Sequence, residues 1–292
     1  MDLTPRYNKP MTFSKNSPPS FTSVGICMVA TNKYIEFWKK CALDLEINAF
    51  TEFESVTIHL FTNHDSAAQS WAANNLKRIK LITHKIDGYG WPEATLFRYK
   101  FINNARDRFG EDLLMYLDSD MEITDKFGAE LIPGSWINGL AFVAHPGFTR
   151  NSGAKLLLDF LKYPRLLRPY LNKFRDGARG IGTWENSKAS KAFVAPTKRR
   201  RYVHGAIWFG VREPFLKMCS ELDKNVDNDY EKNIIAKWHD ESHLNWFYAN
   251  KSGTVLSNRY SGYKPYKYLE TFKPVIYTVE KNSVELRNTN NV

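Results

Sequence analysis

Short runs dense in apolar residues alternate with longer stretches whose apolar positions recur at helical spacing. Residues 24–30, 54–62, 79–86 and 112–117 are such runs, and polar or turn-forming residues bound each of them. Their length and their flanks predict strands. Between them, residues 34–49 place Tyr34, Phe37, Trp38, Cys41 and Leu45 at helical spacing, and 67–75 and 96–108 are also expected to be helical. Strand alternating with helix predicts an α/β fold with a mostly parallel central sheet. In such sheets ligands bind beyond the carboxyl ends of the strands.

The second half is less regular. Strands are expected at 140–144 and 203–210, a helical pattern over 156–170 is interrupted by Pro164, and 222–247 is expected to be helical in part. After Gly253 the pattern reads as short strands and turns. The first twenty residues are Pro- and Ser-rich and predict an extended arm, with residues 21–292 as one domain.

The composition of the 292 residues, 43% hydrophobic and 25% charged, is that of an ordinary globular chain. It excludes a disordered tail, a collagen-like chain and a disulfide scaffold. The three cysteines, Cys27, Cys41 and Cys219, match no zinc or disulfide spacing and suggest a reducing compartment. No apolar run reaches the ~18 residues of a membrane helix, and the first twenty residues contain no signal-like segment. The expected setting is therefore cytoplasmic, with peripheral membrane contact as a variant of it.

Charge changes the picture in one place. The formal net charge is +10, and residues 162–201 hold twelve basic side chains against Asp176 and Glu185. Such a cluster attracts phosphate-bearing surfaces, or it is simply a solvated face.

Three groups carry candidate chemistry. Asp118-Ser119-Asp120 follows the apolar run 113–117, and period-2 geometry would set both carboxylates on one side with Ser119 pointing away. Convergent carboxylates suit a hard divalent cation that also binds phosphate. Trp238-His239-Asp240-Glu241-Ser242-His243 gathers two imidazoles, two carboxylates and an indole. Its His spacing is that of helical zinc sites, but H-D-E-S-H departs from the H-E-x-x-H pattern. A carboxylate beside an aromatic ring suits a developing oxocarbenium ion. Lys281 and Arg287 near the end of the chain would hold a diphosphate if the tail folds over the site.

These segments resemble family 6 glycosyltransferases, the group of the histo-blood-group A and B transferases and α-1,3-galactosyltransferase. The resemblance rests on ordered blocks: Val29 to Tyr34, Tyr116 to Glu122, His145-Pro146-Gly147-Phe148, Trp184-Glu185, Tyr202 to Ile207, Trp238 to Asn245, Lys281-Asn282 and Leu286-Arg287-Asn288. It implies a GT-A fold and a retaining transfer of a galactose-type sugar from a UDP-sugar to a glycan hydroxyl, forming an α-1,3 linkage. It also implies Mn²⁺, or another divalent metal, on Asp118 and Asp120.

By the same resemblance Val29, Thr31 and Tyr34 form the uracil pocket, and Arg98 stands near the donor sugar and phosphates. Asp118 and Ser119 bind the donor, and Asp240 binds the donor-sugar hydroxyls. His204 and Ala206 sort donor sugars, favouring UDP-galactose and leaving UDP-N-acetylgalactosamine and UDP-glucose open. Glu241 is the catalytic glutamate, His145, Trp238 and His239 bind acceptor, and Lys281 and Arg287 close over the diphosphate.

Two departures bear on the acceptor. Tyr263 stands about where mammalian members carry an acceptor-contacting Asp, and a basic insertion occupies about 150–183. Two other readings stay open: a D-x-D metal-dependent nucleotidyl- or phosphotransferase, and a cationic protein that binds nucleic acid or a membrane surface.

Overall fold

The computed structural model describes residues 21–131, 136–148, 182–264 and 273–280, with isolated positions between 158 and 167. The chain opens with the predicted alternation: β1 (Ser23–Val29), α1 (Tyr34–Asn48), β2 (Ser55–Thr62), α2 (Asp65–Asn75) and β3 (Lys80–Lys85). Two short helices, α3 (Glu93–Leu96) and α4 (Arg98–Asn104), precede β4 (Leu113–Leu117) and β5 (Met121–Ile123). Then follow β6 (Leu140–Ala144), β7 (Val203–Val211), α5 (Arg212–Tyr230), α6 (His239–Lys251), β8 (Thr254–Leu256), β9 (Gly262–Tyr263) and β10 (Ile276–Thr278).

The main sheet has the order β3-β2-β1-β4-β7-β6-β8. β3, β2, β1 and β4 run parallel, β7 is antiparallel to both β4 and β6, and β8 is parallel to β6. β1 shows why the strands read as continuous apolar runs. Val24, Ile26 and Met28 pack into one core with Trp38, Cys41 and Leu45 of α1, while Cys27 and Val29 enter a second core on the opposite face. There they meet Tyr99 and Ile102 of α4, Phe215 and Leu222 of α5, and Leu244 of α6. A side chain of this size contributes roughly 1.5–3 kcal/mol when fully buried, so a strand enclosed on both faces leaves no position for a polar alternation.

Three expectations need correction. Residues 96–108 are not one helix but α3, α4 and a 3₁₀ turn at Arg106–Arg108. The helical region expected within 222–247 is two helices. α5 begins ten residues earlier, behind the charged opening Arg212-Glu213, and α6 starts at His239. A second sheet, β5-β10-β9, was not foreseen, because strands of two or three residues carry no readable period.

Most of the basic insertion and the residues from 281 onward, with Lys281 and Arg287, lie outside the described residues. Of the described basic residues Arg199 is not part of a charged face. It is buried, and its guanidinium donates to the Val194 carbonyl and the Asn186 side chain. Cys27, Cys41 and Cys219 are buried and unbridged. No described helix is long and apolar enough to cross a membrane.

Candidate active site

The parallel neighbours β1 and β4 lie where the strand order reverses, and their carboxyl ends open on the same side of the sheet. β7 reaches this point from the other direction. Its antiparallel register sets Ile207 opposite Leu117, and one residue further the Asp118 N–H donates to the Ala206 carbonyl at 2.9 Å. α6 is pinned to the same end of β7 by Asn245. Its amide accepts from the Val203 N–H and donates to the Val203 carbonyl, both at 2.9 Å, and donates to the Glu241 carbonyl at 2.9 Å. The first turn of α6, with Asp240 and Glu241, therefore faces the end of β4.

Between these elements lies a cleft of about 760 Å³. Val29, Thr31 and Tyr34 line it, as do Arg98, Asp118, Ser119, Asp120, His145, His204, Trp238 and Glu241. Residues drawn from six separate stretches of sequence thus meet in one cavity. Asp240 and His239 stand at its edge. Asp240 is paired with Arg98, and His239 meets Trp91 edge-on with ring centroids 4.8 Å apart. Ala206 is buried and is not among the lining residues, so its contact with the site runs through its carbonyl.

Arg98 is the electrostatic hub. Its Nη1 is 3.2 Å from Asp118 Oδ1 and 3.1 Å from Asp240 Oδ2, and it donates to the Gly205 carbonyl at 3.0 Å. Nε donates to the Thr95 carbonyl at 3.0 Å, and the guanidinium carbon lies 4.4 Å from the centre of the Tyr116 ring. Burial opposes the charge of Arg98, but Asp118 and then Asp240 more than offset it, so its proton is held more tightly than usual. The Tyr116 hydroxyl donates to Asp118 Oδ1 at 2.9 Å, which fixes the first carboxylate from a second side.

The Gly205 peptide serves both ends of the site. Its carbonyl takes Arg98 Nη1, and its N–H donates to Glu241 Oε2 at 2.8 Å. Burial pushes the Glu241 carboxyl up to about 8, against the pull of that N–H and with the help of the Asp240 charge. Asp240 is raised to about 7, again by burial first, with Arg98 opposing and Asp118 reinforcing. Burial lowers His204 to about 4, and its Nδ1 is hydrogen-bonded to Ser261 Oγ.

The D-x-D geometry differs from expectation. β4 ends at Leu117, residues 119–120 form a turn rather than a pleat, and Ser119 lines the cleft together with both aspartates. The donor set is oxygen only, which suits Mg²⁺ or Mn²⁺, so the residues fit a hard divalent cation.

Several participants have no role assigned by the sequence, although Tyr116, Gly205 and Asn245 lie within the resembling blocks. Tyr116 reads as a core residue of β4, Tyr89 and Trp91 line the cleft from a loop, and Gly205 and Asn245 act through backbone contacts. The aromatic mouth is exposed: Trp91 is 50% and Trp238 49% accessible, and Trp238 Nε1 donates to Thr183 Oγ1 at 2.5 Å.

Comparison with known proteins agrees with this geometry. A model described as glycosyltransferase family 6 matches residues 167–288. A globoside alpha-1,3-N-acetylgalactosaminyltransferase 1 of Gallus gallus is 25% identical over 276 residues, covering 92% of this chain and 71% of that protein. The histo-blood group ABO system transferase 2 of Rattus norvegicus is 24% identical over 244 residues, covering 82% and 63%. The O-antigen biosynthesis glycosyltransferase WbnI of Escherichia coli is 22% identical over 261 residues, covering 89% and 96%.

Proposed function

We propose that the chain is a family 6 glycosyltransferase that transfers a galactose-type sugar from a UDP-sugar to a glycan hydroxyl with retention, forming an α-1,3 linkage. The observation that carries this reading is the single cleft that joins Thr31 and Tyr34, the Asp118–Asp120 turn and Glu241. A nucleotide, its diphosphate and the anomeric carbon need those three surfaces in that order. The alternative of a cationic binding protein needs no such convergence.

Each residue has a chemical task. Thr31 and Tyr34 form the wall for the base. Asp118 and Asp120 would hold Mn²⁺, which when bound neutralises charge on the leaving diphosphate. Asp240, clamped by Arg98, is placed to accept hydrogen bonds from sugar hydroxyls. Glu241, aimed by the Gly205 N–H, faces the anomeric centre. Burial keeps Glu241 protonated in the empty cleft near neutral pH, and a developing positive sugar charge draws it to its ionised form. Either covalent capture of C1 or stabilisation of an ion pair is open to that carboxylate. Trp238, Trp91 and Tyr263 offer aromatic faces to a glycan acceptor.

For the donor, His204 in the cleft with Ala206 two residues on favours UDP-galactose. Ala206 is set back from the cleft lining, so any discrimination is modest, at most about 1–3 kcal/mol, and UDP-N-acetylgalactosamine is the competitor to measure. The test is UDP release from a panel of UDP-sugars with Mn²⁺ and then with EDTA. Release from galactose-type donors that EDTA abolishes is expected. Absence of release from every sugar, with or without a glycan acceptor panel, would refute the proposal.

A further inference from the structure

The end of the cleft at Thr31 and Tyr34 is braced from outside it. Asn32 lies just beyond β1, and Asn63 follows β2 directly. Asn32 has φ 51°, a left-handed conformation that asparagine adopts more readily than most residues. Asn63 Oδ1 accepts from the Asn32 N–H at 3.0 Å, and Asn63 Nδ2 donates to Asn32 Oδ1 at 3.2 Å. Asn32 Nδ2 then donates to the Gly88 and Tyr89 carbonyls, each at 3.2 Å. Only one orientation of the two amides satisfies this set. A backbone N–H can only donate, so the Asn63 atom that faces it is oxygen, and each later partner follows in turn.

The stretch held in this way is cleft wall. Asn32, Tyr89, Gly90 and Trp91 line the cleft beside Thr31 and Tyr34, whereas Asn63 is not among the lining residues. Thr31 Oγ1 also donates to the Tyr89 carbonyl, at 2.8 Å. The Tyr89 ring is fixed separately, against Phe97 at 5.9 Å and Phe101 at 5.4 Å between centroids. The backbone at Gly88 sits directly on the amide pair. A Cβ there would stand 2.9 Å from Asn32 Oδ1 and 2.9 Å from Asn63 Nδ2, although Gly88 itself is exposed.

We propose that Asn63 is a positioning residue for the nucleoside of the donor. Through Asn32 it fixes the Gly88 and Tyr89 carbonyls against Thr31 before any nucleotide arrives. A wall set in advance spares the ordering cost that binding would otherwise carry. The proposal rests on the transferase reading and deepens it, because the amide pair serves the base and ribose rather than the sugar, the diphosphate or the metal.

The test separates those parts of the ligand. Binding of UDP, and of inorganic pyrophosphate as a probe without a base, is measured by calorimetry with Mn²⁺ present. Asn63→Ala is expected to weaken UDP by about tenfold, the effect of two lost hydrogen bonds, and to leave pyrophosphate unchanged. Gly88→Ala drives a carbon into the same amide pair from the loop side, on an exposed position, and is expected to weaken UDP in the same way. In the transfer assay Asn63→Ala should raise the donor KM, with kcat and the preference between UDP-galactose and UDP-N-acetylgalactosamine unaltered. Wild-type affinity for UDP in both folded variants would overturn the proposal, as would an equal loss for pyrophosphate. A wild-type chain that binds no UDP would overturn the transferase reading itself and the proposal with it.

Discussion

Gly205→Ala is the sharpest perturbation of the site, because the added carbon directly meets Glu241, the proposed catalytic side chain. A Cβ at 205 would stand 2.9 Å from Glu241 Cβ, 3.2 Å from Glu241 Cγ and 3.3 Å from Asp240 Oδ2. Ordinary carbon contacts begin near 3.5 Å, so Glu241 must retreat by about half an ångström. Overpacking of this kind costs about 1–3 kcal/mol, which predicts a fall in melting temperature of several degrees. The catalytic effect is worked from displacement. A 1 Å error at a reacting group costs about a hundredfold, so half of that predicts roughly a tenfold loss in kcat, or about 1.4 kcal/mol in barrier. The assay is steady-state UDP release at saturating donor, with thermal unfolding measured on the same preparation. A variant that loses stability but keeps wild-type kcat would show that Glu241 is not the group on which rate depends.

Other outcomes follow from the same geometry. Arg98→Met leaves the carboxylate of Asp240 buried without its cation, and a loss of roughly 3 kcal/mol is expected in urea unfolding, as for a broken buried pair. In the empty enzyme, Glu241 and Asp240 bind protons more tightly folded than unfolded. Their stabilisation is complete below about pH 4, and it is lost as pH rises toward the folded values of about 8 and about 7. Glu241→Gln should flatten that decline, as read by melting temperature against pH. Trp238→Ala is expected to raise the acceptor KM by about tenfold, or about 1.4 kcal/mol, with donor KM unchanged in a two-substrate analysis. It removes an exposed indole held by Thr183 at the mouth of the cleft.

The parallel half of the fold was legible because β1 and β4 are enclosed on both faces, so Val24 to Ala30 had no choice but to be apolar. The start of α5 was not, since Arg212 and Glu213 hide an apolar face that begins only at Phe215. Of the site, the residues with intrinsic chemistry could be picked out: Asp118, Asp120, Glu241 and the histidines. The contacts that position them could not. Asp240 lies 142 residues beyond Arg98 in the chain, and no spacing rule links them. Gly205 and Asn245 contribute through peptide groups and a pinning amide, and those roles exist only once β7 and α6 are side by side.

The position of Gly205 also bears on how donor choice can change. His204 and Ala206 are its immediate neighbours on β7, and a strand allows about 3.3 Å per residue. A substitution that enlarges or empties the proposed sugar pocket therefore strains the two successive peptide groups that orient Glu241 and anchor Arg98. Under the proposed function, selectivity and speed are inherited together in this stretch of backbone. A lineage acquiring a new donor sugar would be expected to pass through slow intermediates and to recover rate by second substitutions on α6 or beside Arg98, rather than on β7 itself.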